Sequence, residues 1–179
     1  MGGHRTTRVL VGSVTASVAF SGLVTACSDD SGATSVVDPA AAYTAIVEWQ
    51  AAEQEPILDE KGEPKLPVIF VVAADGATVD VGVQAAVAES TVDDAVVRFA
   101  DDVSDGFDSD ADGAPVRDEG IMLAVGVIPE PSRTIDVQVA RFVAQDDYEQ
   151  LDVEITAIEH PTGTDPHPPL AEVTAVAEP

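Results

Sequence analysis

The chain reads as an α+β domain, and three observations predict it. A helix start with its own cap stands at Asp38-Pro39. A continuous apolar run, Leu66 to Ala73, is followed by a helix-like stretch and a second short apolar run. The second half alternates apolar and polar residues with a period of two. Together they predict an N-terminal helix and one crossover helix packed on a mixed, mostly antiparallel sheet of about six strands.

Each element has its own reason. Asp38 supplies the N-cap and Pro39 the first helical position of a helix expected to reach about Gln54. Ala42, Tyr43, Ile46, Val47 and Trp49 form its apolar stripe. Glu55 to Pro67 holds Pro56, Gly62, Pro64 and Pro67 between charges and is expected to be a loop. Leu66 to Ala73 is short and rich in β-branched residues, as a central buried strand is. Asp75-Gly76 marks a turn. Asp80 to Glu89 reads as a short helix with Val83, Ala86 and Val87 facing inward, and Ala95 to Ala100 as the next strand. Strand, helix and strand at this spacing fit a right-handed crossover between parallel strands.

Beyond an acidic segment the pattern becomes strands. Ile121 to Ile128 is apolar throughout, and Pro129 to Ser132 is a turn. Thr134 to Ala144 places Ile135, Val137 and Val139 opposite Asp136 and Gln138. Gln145 to Glu149 is expected to turn, and Leu151, Val153 and Ile155 then alternate with Asp152, Glu154 and Thr156. Glu159 to Pro169 reads as a proline-rich loop, and Leu170 to Val176 as a weaker last strand. One buried and one wet face is the signature of an antiparallel meander. The order of elements resembles cystatin-like and nuclear-transport-factor-like folds, an analogy of order only.

The N-terminus carries a different message. Met1 to Arg8 includes Arg5 and Arg8, Val9 to Leu23 is uncharged, and Val24-Thr25-Ala26 precedes Cys27, the one cysteine of the chain. This resembles a bacterial lipoprotein signal peptide ending in a lipobox. The resemblance implies cleavage after residue 26 and a diacylglyceryl group on Cys27. It also implies an anchor on the extracytoplasmic face of the cell membrane, since acyl chains hold by about 0.8 kcal/mol for each buried methylene. Residues 1–26 are then the signal and 27–37 the lipidated cysteine with a small, polar tether. Residues 38–179 form a single domain. Polar Gly12, Ser13, Thr15, Ser17, Ser21 and Gly22 make the apolar run a poor membrane span. An acylated Cys27 leaves no thiol for a disulfide or for redox chemistry.

Charge narrows the partners. Residues 27–179 keep 6 of the 8 basic residues and all 33 acids, a formal charge of −27. Such a surface repels nucleic acid and anionic lipid headgroups, so no nucleic-acid partner is expected. Lys61 and Lys65 are the only lysines among many Ala, Val and Asp, which fits a GC-rich, actinobacterial origin. Pro115-Val116-Arg117-Asp118-Glu119-Gly120 before an apolar strand is similar to small uncharacterised actinobacterial lipoproteins. That resemblance implies no activity.

One segment carries metal chemistry. Asp108, Asp110 and Asp112, Gly113, the Ala114 carbonyl and Glu119 fit a calcium-loop pattern along its whole length. Alternating carboxylates converge on a hard cation, the glycine permits the sharp turn, and the last glutamate binds with both oxygens. Pro115, the strand-like run that follows and the lack of a second loop argue for a solvated acidic loop instead. Calcium is thus the one cofactor the sequence suggests, and otherwise none is expected.

Catalytic patterns for serine, zinc or phosphate chemistry do not occur. His160 and His167 lie in the proline-rich loop, and Asp93-Asp94 and Asp146-Asp147 stand at turns. Arg98, Arg117, Arg133 and Arg141 read first as structural ion pairs and second as an anion clamp. The expectation is a non-enzymatic envelope lipoprotein that binds a ligand or another envelope protein. A calcium-binding surface domain and an enzyme with a carboxylate and arginine site are the alternatives.

Overall fold

Asp38 does what a capping aspartate should. Its Oδ1 accepts the Ala41 amide at 2.8 Å, and helix α1 runs from Pro39 to Glu53 with Gln54 as C-cap. The computed structural model describes residues 35–58, 61–158 and 171–179, all within the unit Ala33–Pro179. The signal segment, Cys27 and the expected loop over 159–169 lie outside the described residues.

Helix α1 buries Ala42, Tyr43, Ile46 and Val47 of the expected stripe, while Trp49 is half-buried at its margin. Its many alanines widen the buried face to Ala41 and Ala45. Gln50 is fully buried as well, and neither atom of its amide has a hydrogen-bond partner among the described residues.

The expected loop over 55–67 is not all loop. Ile57–Leu58 (β1) and Pro64–Lys65 (β2) pair antiparallel as a small hairpin. Strands of two residues leave no periodicity to read, and Pro64 is tolerated because so short a pair needs few donors.

The main sheet has six strands: Val68–Ala73 (β3), Val96–Phe99 (β4), Ile121–Val125 (β5), Thr134–Ala144 (β6), Asp147–Ala157 (β7) and Ala171–Ala177 (β8). Their order is β4-β3-β5-β6-β7-β8. β3 pairs parallel with β4 and with β5, and the remaining pairs are antiparallel. The fold is therefore α+β with a mixed, mostly antiparallel six-stranded sheet. Helix α2, Val81–Ser90, joins β3 to β4. Asp80 caps it through the Gly82 and Val83 amides, and Val87 is fully buried beneath it.

Strand ends elsewhere shift by one or two residues, and two boundaries shift by three. β5 stops at Val125, not Ile128, where the Gly126 amide donates to the Gln138 carbonyl at 2.7 Å and Pro129 and Pro131 follow. The turn after β6 is only Gln145-Asp146, because Ala144 already pairs with Asp147 and Tyr148 stacks on Phe142 across the strands.

The sheet's two faces have different coverings. On the first, α1 and α2 bury Ile69, Val71, Leu123, Val125, Val137, Val139, Val153 and Ile155 in one core. On the second, residues 101–120 cross back from β4 to β5. There Phe107 and Val116 pack on Phe70, Val72, Met122 and Ala124. The rest of that face, with Asp136, Gln138, Asp152 and Glu154 on β6 and β7, has no such apolar cover among the described residues.

Two glycines are set by close approach. A side chain on Gly120 would stand 2.6 Å from the Val68 carbonyl oxygen, and one on Gly106 would collide with the buried Met122.

Gly120→Ala is expected to destabilise the domain by about 1–3 kcal/mol, since β3 and the start of β5 must separate to admit a methyl group. A lower urea midpoint with unchanged slope is the readout. Gln50→Leu is expected to stabilise by roughly 1 kcal/mol, because it removes a buried amide that makes no hydrogen bond. The same urea titration would show a raised midpoint.

Candidate functional site

The segment that crosses the second face is the most distinctive part of the molecule. It leaves β4 through Asp102, whose carboxylate caps a short 3₁₀ turn, Val103–Gly106. Its bonds to the amide and hydroxyl of Ser104 hold that carboxyl below its ordinary pKa. Phe107 then pairs with Val116, and Pro115 with Ala144 at the end of β6.

These pairings decide the geometry of the calcium-like loop. The Asp108 amide donates to the Pro115 carbonyl at 2.8 Å, so the chain closes on itself between residues 108 and 115. Inside it, the Asp108 carboxylate accepts the Asp110 amide at 3.3 Å, and Gly113 takes φ +77° as expected of the turn glycine. The Ala114 carbonyl accepts the Gln145 amide at 3.0 Å. Glu119 lies beyond the closure in the chain and lines a recess of its own. Among the described residues no three acidic, histidine or cysteine side chains gather as an ion would require.

The recess that receives Glu119 lies between the β1–β2 hairpin and the sheet. It measures about 440 Å³ and is lined by Ile57, Lys65, Leu66, Val68, Arg98, Asp118 and Glu119. Arg98 projects from β4 over the ring of Phe70, 5.5 Å from its centre, and donates to the Asp118 carboxylate. The side chains of Lys65 and Glu119 make no ion pair or hydrogen bond with a described residue. Asp118 and Glu119 both have left-handed backbone, at φ 57° and 56°. For residues with a Cβ this conformation is uncommon and strained. Arg117 anchors the strained turn from the other side, its Nε donating to the Phe107 carbonyl at 2.9 Å.

No protein-family model, curated protein or solved structure matches the chain.

Arg141 and Arg117 lie away from that recess. Arg141 stands 2.7 Å from the Glu149 carboxylate beside the β6–β7 turn. Arg117 meets a carbonyl, not a carboxylate. A second recess, of about 400 Å³, lies between α1 and β8 around Trp49, Ile158 and Val173, with Glu48 and Glu172 at its rim. Burial, and after it the charge of Asp94, raises the Glu48 pKa. The sequence groups Arg98 with the other three arginines of the domain as ion pairs or an anion clamp and does not show the recess. Its lining comes from four separate stretches of chain, and only the scarcity of lysine drew notice to Lys65.

Calcium at residues 108–119 is the sequence's proposal, and melts of the full chain in calcium and magnesium at matched ionic strength test it. Superimposed curves would reduce the segment to an acidic loop. A real site filled to ten times its dissociation constant would instead add about 1.4 kcal/mol, or ~3–6 °C. That gain would be calcium-selective and lost in Asp108→Ala.

Proposed function

We propose that the protein is a lipid-anchored module of the bacterial cell envelope. Its α+β domain binds a ligand or an envelope partner on the extracytoplasmic side. The observation that carries this reading is Cys27, the only cysteine, standing behind Val24-Thr25-Ala26 and an uncharged run with a basic start. What supports a binding role is the recess around Arg98 and Lys65. It gathers two of the six basic residues of 27–179 into one concave place.

The charge of the domain suits such an arrangement. At −27 it is repelled by anionic headgroups. Residues 28–37 can extend to at most roughly 35 Å, several times the ~8 Å screening length at physiological salt. The domain can thus stand off an anionic surface while remaining attached. Val37 ends the tether, since its amide donates to the Ser132 carbonyl at 2.8 Å and its side chain is fully buried.

Expression with an alkyne-tagged fatty acid is expected to label the wild-type chain and send it to the detergent phase on partitioning. Cys27→Ala is expected to lose the label and the detergent-phase partitioning together. An unlabelled, aqueous wild-type chain would remove the anchor.

A further inference from the structure

We infer that the recess between the β1–β2 hairpin and the sheet binds a small zwitterion: a free carboxylate and a free ammonium joined through an aliphatic group, as in an aliphatic amino acid or a short peptide. This rests on the reading of that recess as the binding site and goes further by naming its ligand class.

Acids outnumber bases by 33 to 8 in the chain, yet among the described residues the recess holds two of each, Lys65 and Arg98 against Asp118 and Glu119. A purely anionic ligand would be repelled by the field of the whole domain, and a cationic one would be drawn to acidic surface everywhere. A zwitterion is indifferent to that field and is selected only where both signs stand side by side.

The charged groups of the recess differ in whether they are already used. Arg98 is stacked on Phe70 and held by Asp118, so its direction is set before any ligand arrives. Its guanidinium retains further N–H donors, in the planar fork that suits a carboxylate. Lys65 adds a second cation with no described partner of its own. On the anionic side Asp118 is engaged by Arg98, and Glu119 is uncommitted. The recess therefore offers a carboxylate seat at Arg98 and Lys65 and an ammonium seat at Glu119. Between them Ile57, Leu66 and Val68 offer aliphatic surface, of which Leu66 remains exposed.

Backbone conformation points to the same place. The consecutive left-handed residues Asp118 and Glu119 lead into Gly120, which abuts the Val68 carbonyl. Strain of this kind persists where surrounding structure over-determines it. Here it sets both carboxylates on the wall of one recess. At about 440 Å³ the space suits a ligand of amino-acid to short-peptide size.

The test is calorimetric titration of the full chain in detergent micelles with leucine, leucyl-leucine, its N-acetyl form and its C-terminal amide. Saturable binding of leucine or leucyl-leucine is expected, the tighter of the two deciding between amino acid and peptide. Capping either end should weaken binding by about tenfold or more. Lys65→Ala should remove the discrimination between acid and amide, and Glu119→Gln that between free and acetylated amine. Both side chains are exposed, so the variants are expected to melt as the wild type does. Absence of saturable binding by all four compounds, or equal binding of capped and uncapped forms, would overturn the inference. An acylated Cys27 in a chain that binds none of them would sink this inference and leave the anchored reading intact. Binding by a chain without an acyl group would do the reverse.

Discussion

Burial of β3 on both faces is the constraint from which the rest of the structure follows. The strand has parallel neighbours on both sides, and its four central residues are buried. A parallel neighbour requires the chain to return to the starting end of the sheet before each new strand. The first return is α2, which occupies the face shared with α1. The second must step from β4 past β3 to β5, and it crosses the opposite face. The acidic segment is thus a structural cover, pinned by Phe107 and Val116, and the turn at Asp118 and Glu119 is where that cover meets the sheet.

This division explains why the second face is uneven. Near β3 and β5 it is apolar and roofed. Toward β6 and β7 it becomes polar, with Asp136 directly opposite Glu154 and Asp152 opposite Gln138. The boundary is marked by Phe107, Phe142 and Tyr148. Phe107 meets Phe142 edge-on at 5.8 Å, Phe142 stacks on Tyr148 at 5.1 Å, and Tyr148 is more than half exposed. The row carries the buried interior out to the surface in steps, and the β6–β7 turn is held by it.

Much of this was legible in the residues, for identifiable reasons. Asp38 and Asp80 announce two helices because a carboxylate at the N-cap bonds free amides. β6 and β7 announce themselves because one face is wet and the other dry. The 57–65 hairpin did not, since two residues cannot show a period. Nor did the packing of Val103, Phe107 and Val116, whose spacing follows neither helix nor strand. Gln50 was invisible because a polar residue on a buried stripe is read as exposed. The recess was beyond local reading altogether: the hairpin, β3, β4 and the 118–119 turn meet only through the crossovers. The calcium-like spacing shows the converse, where a pattern complete in sequence is divided by the Phe107–Val116 pairing.

The last strand has one residue too many. Glu154 pairs with Ala175 and Ile155 with Val173, so Thr174 stands between registers and turns its hydroxyl to the Glu154 carboxylate, 2.7 Å away. Such a bulge bends and twists the border of a sheet. The outer strand is otherwise short and rich in alanine and valine, the kind that invites a foreign strand to continue the ladder. The irregular step at Thr174, backed by glutamate, interrupts that continuation midway. Two copies that meet along this border therefore cannot continue the ladder past its middle.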